Sequence, residues 1–592
     1  MNPSDTQPSS FRNIREIIES LAVALALAFF FKAFAAEAFV IPTGSMASTL
    51  MGRHKDVQCG QCGFPFQISA SEESNDGTDR PRDGLPRVVA GTCPQCRYTM
   101  YVGADNAAQK TFLSFSGDRI FVDKSRFDFH APQRWHVTVF RYPGKTQINY
   151  IKRLVGLENE SIFISNGDIF VKKLAAGLVP SGTGIGYQIQ RKPLSALQAM
   201  MRPVDDNDYV LPELLKLGWM PRWYSADNSW KRSEDCKSFD CTEAGEHWLT
   251  YRNVEPSSSD WSYLSAGKMP PQGAVNNPQL ITDFVGYNSG ITDSKQYNTG
   301  QTVAMRDVNH NGKVLKEHFV TQSGFGLGLN WVGDLALSSR ITIQKPGNYL
   351  LFKLVKGGVN FLCRIDLRTG QAELSIQDCP QFAPVLVQTP LLGTGTFDVM
   401  FINCDEELRL VVNGKEITTG QGRYDTLCEP GGVLPRDRSP NELDLQPAAI
   451  GVQDAAVKVE HLKVQRDLYY IACNENSNDN TQCDLRYSPF HSEYPLTENT
   501  VASILSSPDR WGNFGKTNVV RFDLKDDEFL MLGDNSAKSK DSRLWTTDGI
   551  PCYVPRNLLI GEAVFVYWPH GLRIPGTNIA LIPNVKKVRM IK

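Results

Sequence analysis

Ser45 and Lys152 stand in settings that suit nucleophilic chemistry. Ser45 lies in Ile41-Pro42-Thr43-Gly44-Ser45-Met46, a few residues after an N-terminal apolar run, and Lys152 lies in Tyr150-Ile151-Lys152-Arg153-Leu154-Val155-Gly156. A serine hydroxyl is a poor nucleophile at neutral pH and needs an adjacent base. None of the nine histidines sits in a triad-like context. A lysine can serve instead when its ammonium is desolvated, because burial lowers an amine pKa. Ile148, Tyr150, Ile151, Leu154 and Val155 around Lys152 predict a largely packed strand. Strand alternation puts Tyr150 and Lys152 on one face, and Ile151 and Arg153 on the other. Such a pair suits acyl transfer, with the serine attacking and the amine moving the proton. A third segment, Gly533-Asp534-Asn535-Ser536-Ala537-Lys538-Ser539-Lys540-Asp541-Ser542-Arg543, adds hydroxyls and opposed charges far downstream.

Cysteines offer a second chemistry. Cys59-x-x-Cys62 and Cys93-x-x-Cys96 are two knuckles separated by 30 residues, a pattern that suits a tetrahedral four-thiolate Zn²⁺ site. Cys59-Gly60-Gln61-Cys62-Gly63 and Cys93-Pro94-Gln95-Cys96 read as a structural zinc ribbon, with two disulfides as the alternative in an oxidising space. A closed four-thiolate site leaves no position for a catalytic water, so no cofactor is assigned to catalysis. Among the other nine of the thirteen cysteines, the close pairs Cys236/Cys241 and Cys473/Cys483 are disulfide candidates. Asp307-Val308-Asn309-His310-Asn311-Gly312 mimics the start of a calcium loop, but position twelve is His318 and a turn is the favoured reading.

The elements that must position these residues divide the chain. Its 592 residues suggest three or four domains. The net charge of -2 gives no reason to expect a polyanionic partner, and no basic nucleic-acid stripe is visible. Residues 1–13 form a polar tail. Residues 14–36 read as a membrane anchor around Leu21 to Phe31, just long enough to span the hydrocarbon, with a cleaved signal peptide as the alternative. A serine loop (37–58) precedes the four-cysteine insert (59–102). Strand signals resume over 103–175 at Gly117 to Lys124, Val137 to Phe140, Tyr150 to Val155, Ser161 to Ile164 and Asp168 to Val171, the last after an Asn166-Gly167 turn. Residues 176–314 read as an irregular insert, with short helices at Leu194 to Met200 and Leu211 to Leu217. Residues 315–470 alternate as a β-sandwich with an Asn413-Gly414 turn. After a connector (471–514), strands return over 515–592. The fold class expected is mainly β.

Several ordered boxes resemble the type I signal peptidases, membrane-bound Ser/Lys endopeptidases that remove signal peptides from exported preproteins. Thr43-Gly44-Ser45-Met46-Ala47-Ser48-Thr49-Leu50 is similar to the family's Ser-Gly-Ser-Met-x-Pro-Thr-Leu box, with Ser48 where proline is usual, a change that would loosen the loop. Gly117-Asp118-Arg119, Lys152-Arg153-Leu154-Val155-Gly156 and Gly533-Asp534-Asn535 with Ser539-Lys540-Asp541-Ser542-Arg543 match further boxes. The resemblance implies Ser45 as nucleophile and Lys152 as general base. It implies Thr43 and the Ser45 N–H as oxyanion donors, and Ser539 as a hydrogen-bond partner of the lysine amine. Gly533, Asp534 and Asn535 would be structural support, and Asp541 and Arg543 a supporting ion pair. Shallow apolar pockets for small residues would be walled by Phe39, Ile41, Met46 and Ile151. A cell-membrane location follows, single-pass, with the catalytic domain on the extracytoplasmic side and signal peptides and the bilayer as partners.

Phe397 to Ile417 and Ala448 to Tyr469 resemble a laminin-G or concanavalin-like jelly roll, implying a carbohydrate or protein ligand, or a spacer. The insert placed straight after the serine loop points to substrate or partner docking. Two other readings compete. One is a Ser/Lys self-processing protease like the SOS repressors. The other is a membrane-anchored adhesin that uses the sandwich, with a degenerate peptidase frame.

Overall fold

The computed structural model describes residues 9–30, 36–74, 85–103, 114–174, 186–271, 277–292, 302–308, 314–321, 327–424, 439–473, 484, 490, 497–512, 514–515, 517–572 and 582–592. Strands hold 40% of the residues and helices 17%, so the chain is mainly β. The first described element is α1 (Ser9–Phe30), with Arg12, Arg15, Glu16 and Glu19 in its first half. No helix among the described residues is long and apolar enough to cross a membrane. The expected anchor over 14–36 continues through 31–35, which lie outside the described residues.

The frame that carries Ser45 and Lys152 is an antiparallel sheet of distant segments. Six of its eight strands are β1 (Ala36–Val40), β2 (Arg119–Asp123), β3 (Val137–Tyr142), β4 (Lys145–Gly156), β5 (Glu528–Leu532) and β6 (Leu559–Trp568), in spatial order β1-β2-β6-β3-β4-β5. β5 pairs with β4 through Met531 with Leu154 and Leu532 with Arg153. β6 sits between β2 and β3. The frame is therefore discontinuous, and closes only when residues beyond 500 return. Alternation along β2 buries Ile120 and Val122 against Val137, Val139 and Val566. A second sheet of four strands joins Gln188–Ile189, Asp168–Lys173, Glu160–Ser165 and Val520–Asp523. Its hairpin turns at Asn166 and Gly167, both with positive φ (52° and 87°), the pair of conformations that an Asn-Gly hairpin turn supplies.

The sandwich between these pieces has two antiparallel sheets. One runs Lys231–Arg232, Phe239–Cys241, Ala456–Arg466, Leu335–Lys345, Gly395–Cys404, Glu407–Val412, Lys415–Glu416, with Arg202–Asp206 also on Ala456–Arg466. The other runs Trp223–Tyr224, Glu246–Tyr251, Ala448–Gln453, Tyr349–Lys356, Val359–Asp366, Gln371–Ile376, Val385–Gln388. The region expected to be an irregular insert, 176–314, thus lends strands to both sheets. Trp223, Phe239, Leu249 and Tyr251 enter the same core as Ile341, Phe352, Phe361, Phe401 and Ile450. These added strands are short and depend on partners some 200 residues away, so no local period announces them. Conversely, Val314–Thr321, expected in the sandwich, pairs with Thr302–Val308 and Ile291–Thr292. That sheet continues into Val88–Thr92 and Thr99–Tyr101 of the cysteine insert. The short helices fall at Leu194–Met200 and Pro212–Leu217.

Sandwich and frame are locked by buried charge. Lys192 reaches Asp405 at 2.5 Å and Asp467 at 2.7 Å. Lys356 pairs with Asp334, whose carboxylate also accepts from the Asp405 N–H. Burial pushes the Lys192 amine down, but Asp405 and Asp467 outweigh it and hold the pKa well above the ordinary lysine value.

Candidate active site

Ser45 occupies the middle of a single 3₁₀ turn, Gly44–Met46, entered by Thr43 in extended conformation. The first N–H groups of such a turn lack intrahelical acceptors, which leaves the Ser45 N–H without a partner inside the turn. Apolar neighbours anchor the turn. Ile41 and Met46 are 3% and 0% exposed and pack with Leu50, Ile120 and Val139. Both are core residues rather than the substrate-pocket walls expected of them. Phe39 and Ile151 are half-buried at the margin of the same cluster. The residues beside the nucleophile are apolar because they fasten the turn to the sheet.

Ser48 leaves no loose loop. The Thr49 hydroxyl donates to Asp534 Oδ2 (2.6 Å), the Met51 N–H to Asp118 Oδ2 (3.0 Å) and Arg589 to the Thr49 carbonyl (2.8 Å). Arg202, from the first strand of the sandwich region, donates to the carbonyls of Ala47 and Asp534, both at 3.3 Å.

β4 brings Lys152 to this turn, and its Nζ donates to Ser45 Oγ at 2.6 Å. The side chain is 4% exposed. Its one described hydrogen bond is to Ser45, and the Tyr150 ring lies 5.5 Å away on the same face. Burial lowers the amine pKa to about 8, against the pull of Asp541 and Asp534, which favour the charged form. An amine at that value is neutral in an appreciable fraction of molecules near neutral pH and can accept a proton. On the opposite face Arg153 makes a bidentate pair with Asp534 at 2.8 and 2.6 Å.

The 533–543 loop holds the turn from the other side. The Asn535 N–H donates to the Ser45 carbonyl (3.1 Å) and its side-chain amide to the Gly44 carbonyl (2.9 Å). Gly533 is required sterically: a Cβ there would lie 2.1 Å from Ser539 Oγ and 2.5 Å from the Ser45 carbonyl oxygen. Asp541 and Arg543 form a fully buried bidentate pair, both contacts at 2.8 Å. Arg543 also donates to Ser536 and the Ile471 carbonyl. Burial raises the Asp541 carboxyl, but Arg543 outweighs it and holds the group below the usual carboxylate range. The expected bond from Ser539 to the lysine is not formed. The buried Ser539 hydroxyl lies against Gly533 and makes no hydrogen bond among the described residues. The Thr43 hydroxyl is exposed and makes no hydrogen bond among the described residues.

The four insert cysteines converge. Their sulfur atoms lie within 4.8 Å of one another, with Cys59–Cys96 at 3.6 Å and Cys62–Cys93 at 3.7 Å. A disulfide needs about 2.05 Å, whereas sulfurs on one tetrahedral zinc sit about 3.8 Å apart. The set can therefore hold a metal ion. Neighbouring thiols lower the pKa of Cys59, whereas burial and the same neighbours raise those of Cys93 and Cys96. Cys236, Cys241 and Cys473 form no disulfide among the described residues; Cys483 lies outside them. Residues 309–313 of the calcium-like segment also lie outside them.

Residues reasoning from sequence missed are Asn288, Tyr287 and Arg202. Asn288 exchanges two amide hydrogen bonds with Asn535 (2.7 and 2.8 Å), and the Tyr287 ring packs on Gly44. They lie in a turn-rich stretch with no motif around them.

A stretch of 100 residues, 16% of this chain, is 37% identical to signal peptidase I of Pseudomonas fluorescens and covers 34% of that relative's length. Among solved structures, the carbohydrate binding module CBM66 of Bacillus subtilis aligns at 9% identity and TM-score 0.20, over 42% of this chain and 96% of that one. Galectin LEC-6 of Caenorhabditis elegans aligns at 9% identity and TM-score 0.17, over 28% of this chain and 91% of that one. Residues 101–195 and 448–568 match the family model for signal peptidase, peptidase S26. The matched stretches contain Lys152 and the 533–543 loop, so this part of the chain is similar to the signal peptidases of family S26.

Proposed function

We propose that the protein is a membrane-bound Ser/Lys endopeptidase that removes signal peptides from exported preproteins. The observation that carries this reading is the 2.6 Å contact between a buried lysine amine and a serine hydroxyl. The neutral Lys152 amine takes the Ser45 hydroxyl proton as Oγ attacks the scissile carbonyl. The Ser45 N–H and the Thr43 hydroxyl stabilise the oxyanion. The Lys152 ammonium then protonates the departing amine, leaving an ester on Ser45. The same amine deprotonates a water, which attacks that ester, and the proton returns to Ser45 Oγ. Asp541 and Arg543 hold the 533–543 loop against the nucleophile turn.

α1 and the residues after it, to position 36, serve in this reading as the anchor. The catalytic frame stands on the extracytoplasmic side of the cell membrane, where signal peptides and bilayer meet. The four cysteines hold a structural Zn²⁺ that has no part in the reaction. In lipid-reconstituted assays, Ser45→Ala or Lys152→Ala is expected to abolish cleavage of a preprotein bearing an Ala-x-Ala site. Turnover retained in either variant would refute the assignment.

A further inference from the structure

The cleft beside Ser45 has walls of two origins. Thr43, Gly44, Ser45 and Asn535 of the peptidase frame form one side of a cavity of about 140 Å³. Ser69, Ser71 and Glu72 of the cysteine insert, with Tyr287, Asn288 and Thr292 of the large insert, form the other. The two sides are joined. Asn288 and Asn535 are both buried and exchange reciprocal amide hydrogen bonds at 2.7 and 2.8 Å. The second Asn535 N–H then points at the Gly44 carbonyl (2.9 Å), and its backbone N–H at the Ser45 carbonyl (3.1 Å). Asn288 thus determines which way the Asn535 amide faces, and through it where Gly44 and Ser45 sit. Tyr287 closes the same turn so tightly that a Cβ on Gly44 would lie 2.3 Å from its ring.

The insert wall offers hydroxyls and a carboxylate beside the apolar Val88 and the Tyr287 ring. The hydroxyls of Ser69 and Ser71 hydrogen-bond each other at 3.3 Å, Glu72 is exposed, and the half-buried Thr292 hydroxyl has no hydrogen-bond partner among the described residues. An apolar group pressed against such a wall strips water from these hydroxyls and returns nothing. A side chain that hydrogen-bonds replaces the water it displaces.

We infer that the two inserts complete the substrate cleft of the peptidase: their wall selects a small hydrogen-bonding side chain (serine, threonine or asparagine) next to the scissile bond, and Asn288 is a positioning residue for the nucleophile turn. This rests on the reading of Ser45 as nucleophile, and the test separates the two. The full-length protein in lipid vesicles is given an Ala-x-Ala preprotein and a series of it in which each residue flanking the cleavage site is serine, threonine, asparagine, valine or leucine. No cleavage of any member would overturn the Ser/Lys reading itself. Cleavage with at least about a tenfold kcat/KM preference for the polar members at one position is expected. That ratio should fall below about threefold in Thr292→Val with Ser71→Ala. Cleavage with an unchanged or absent preference would overturn the inserts' role in selection.

Asn288→Ala is expected to lower kcat by about ten- to a hundredfold with KM moved less than about twofold. Combined with Asn535→Ala, it should add no further loss beyond Asn535→Ala alone. Additive losses, or a KM effect only, would overturn the positioning role. Should Asn288→Ala not fold, Asn288→Asp decides. It keeps an acceptor for the Asn535 amide and loses the donor, so an intermediate kcat is expected and a wild-type kcat would overturn the role.

Discussion

At the scale of single residues, Lys152 is the centre of the chemistry because burial disfavours its charge. Its folded pKa is about 8, below the value of 10.5 ordinary for lysine. The acid limb of kcat/KM is therefore expected to have its midpoint near pH 8, with activity rising as pH increases through it. A limb near pH 6 would point to another base. Linkage gives a second prediction. Between the folded and unfolded values the unfolded chain binds more protons, so the native enzyme gains stability as pH rises from about 8 to 10.5. Lys152→Met should be more stable than the parent at pH 7, by about 1–3 kcal/mol, and that advantage should shrink across the same window. Thermal melts of both proteins at a series of pH values measure it. Gly533 is the other residue with a sharp expectation. Its absent Cβ leaves room for Ser539 and the Ser45 carbonyl, so Gly533→Ala should push the nucleophile turn away from Lys152. A kcat loss of about a hundredfold is expected, read in the preprotein assay.

At the scale of elements, the cysteine insert shows how much spacing alone conveys. Two Cys-x-x-Cys knuckles announce a four-thiolate site, and the structure brings the sulfurs to tetrahedral separation. Four clustered thiolates repel one another without a cation, because each thiolate disfavours the next. Purified protein should carry one zinc per chain by elemental analysis, and chelation should speed proteolysis within 54–103. Cys62→Ser should abolish retention of the metal. β4 was legible for a related reason. Its apolar run marked the strand, which is packed only from Lys152 to Gly156 while Ile148 is exposed, and its alternation separated Lys152 from Arg153 correctly: one meets Ser45, the other Asp534. Expectations failed where a residue's role depends on what lies across from it. Ile41 and Met46 are apolar next to a nucleophile, which fits a pocket wall or a core equally, and only the packing with Ile120 and Val139 decides for the core.

For the whole molecule, the question is how a large insertion stays rigid enough to share a cleft. Buried ion pairs at the seam supply part of the answer. Lys192 is held by Asp405 and Asp467, far along the chain, so the frame and the sandwich constrain each other. Removing one partner of a buried pair leaves an uncompensated charge. Lys192→Ala is therefore expected to cost about 3–5 kcal/mol in chemical denaturation, while the exposed Lys216→Ala costs almost nothing. If the sandwich were an independent appendage, Lys192→Ala would leave the melting of the frame unchanged.

From its sequence alone the chain determined the pieces whose signals are local. These are the serine turn, the lysine strand, the cysteine knuckles, the Asn-Gly hairpin turn, the short helices at 194–200 and 212–217, and the alternation of the sandwich strands. Each is read from neighbours within a few residues, through periodicity, turn chemistry or ligand spacing. The tertiary structure alone decided the recruitment of 202–251 into the sandwich, the placing of Ser539 against Gly533, and the amide exchange of Asn288 with Asn535 across 247 positions. Such pairings satisfy buried polar groups with partners remote in the chain, and a buried amide carries no local mark of which distant amide will answer it.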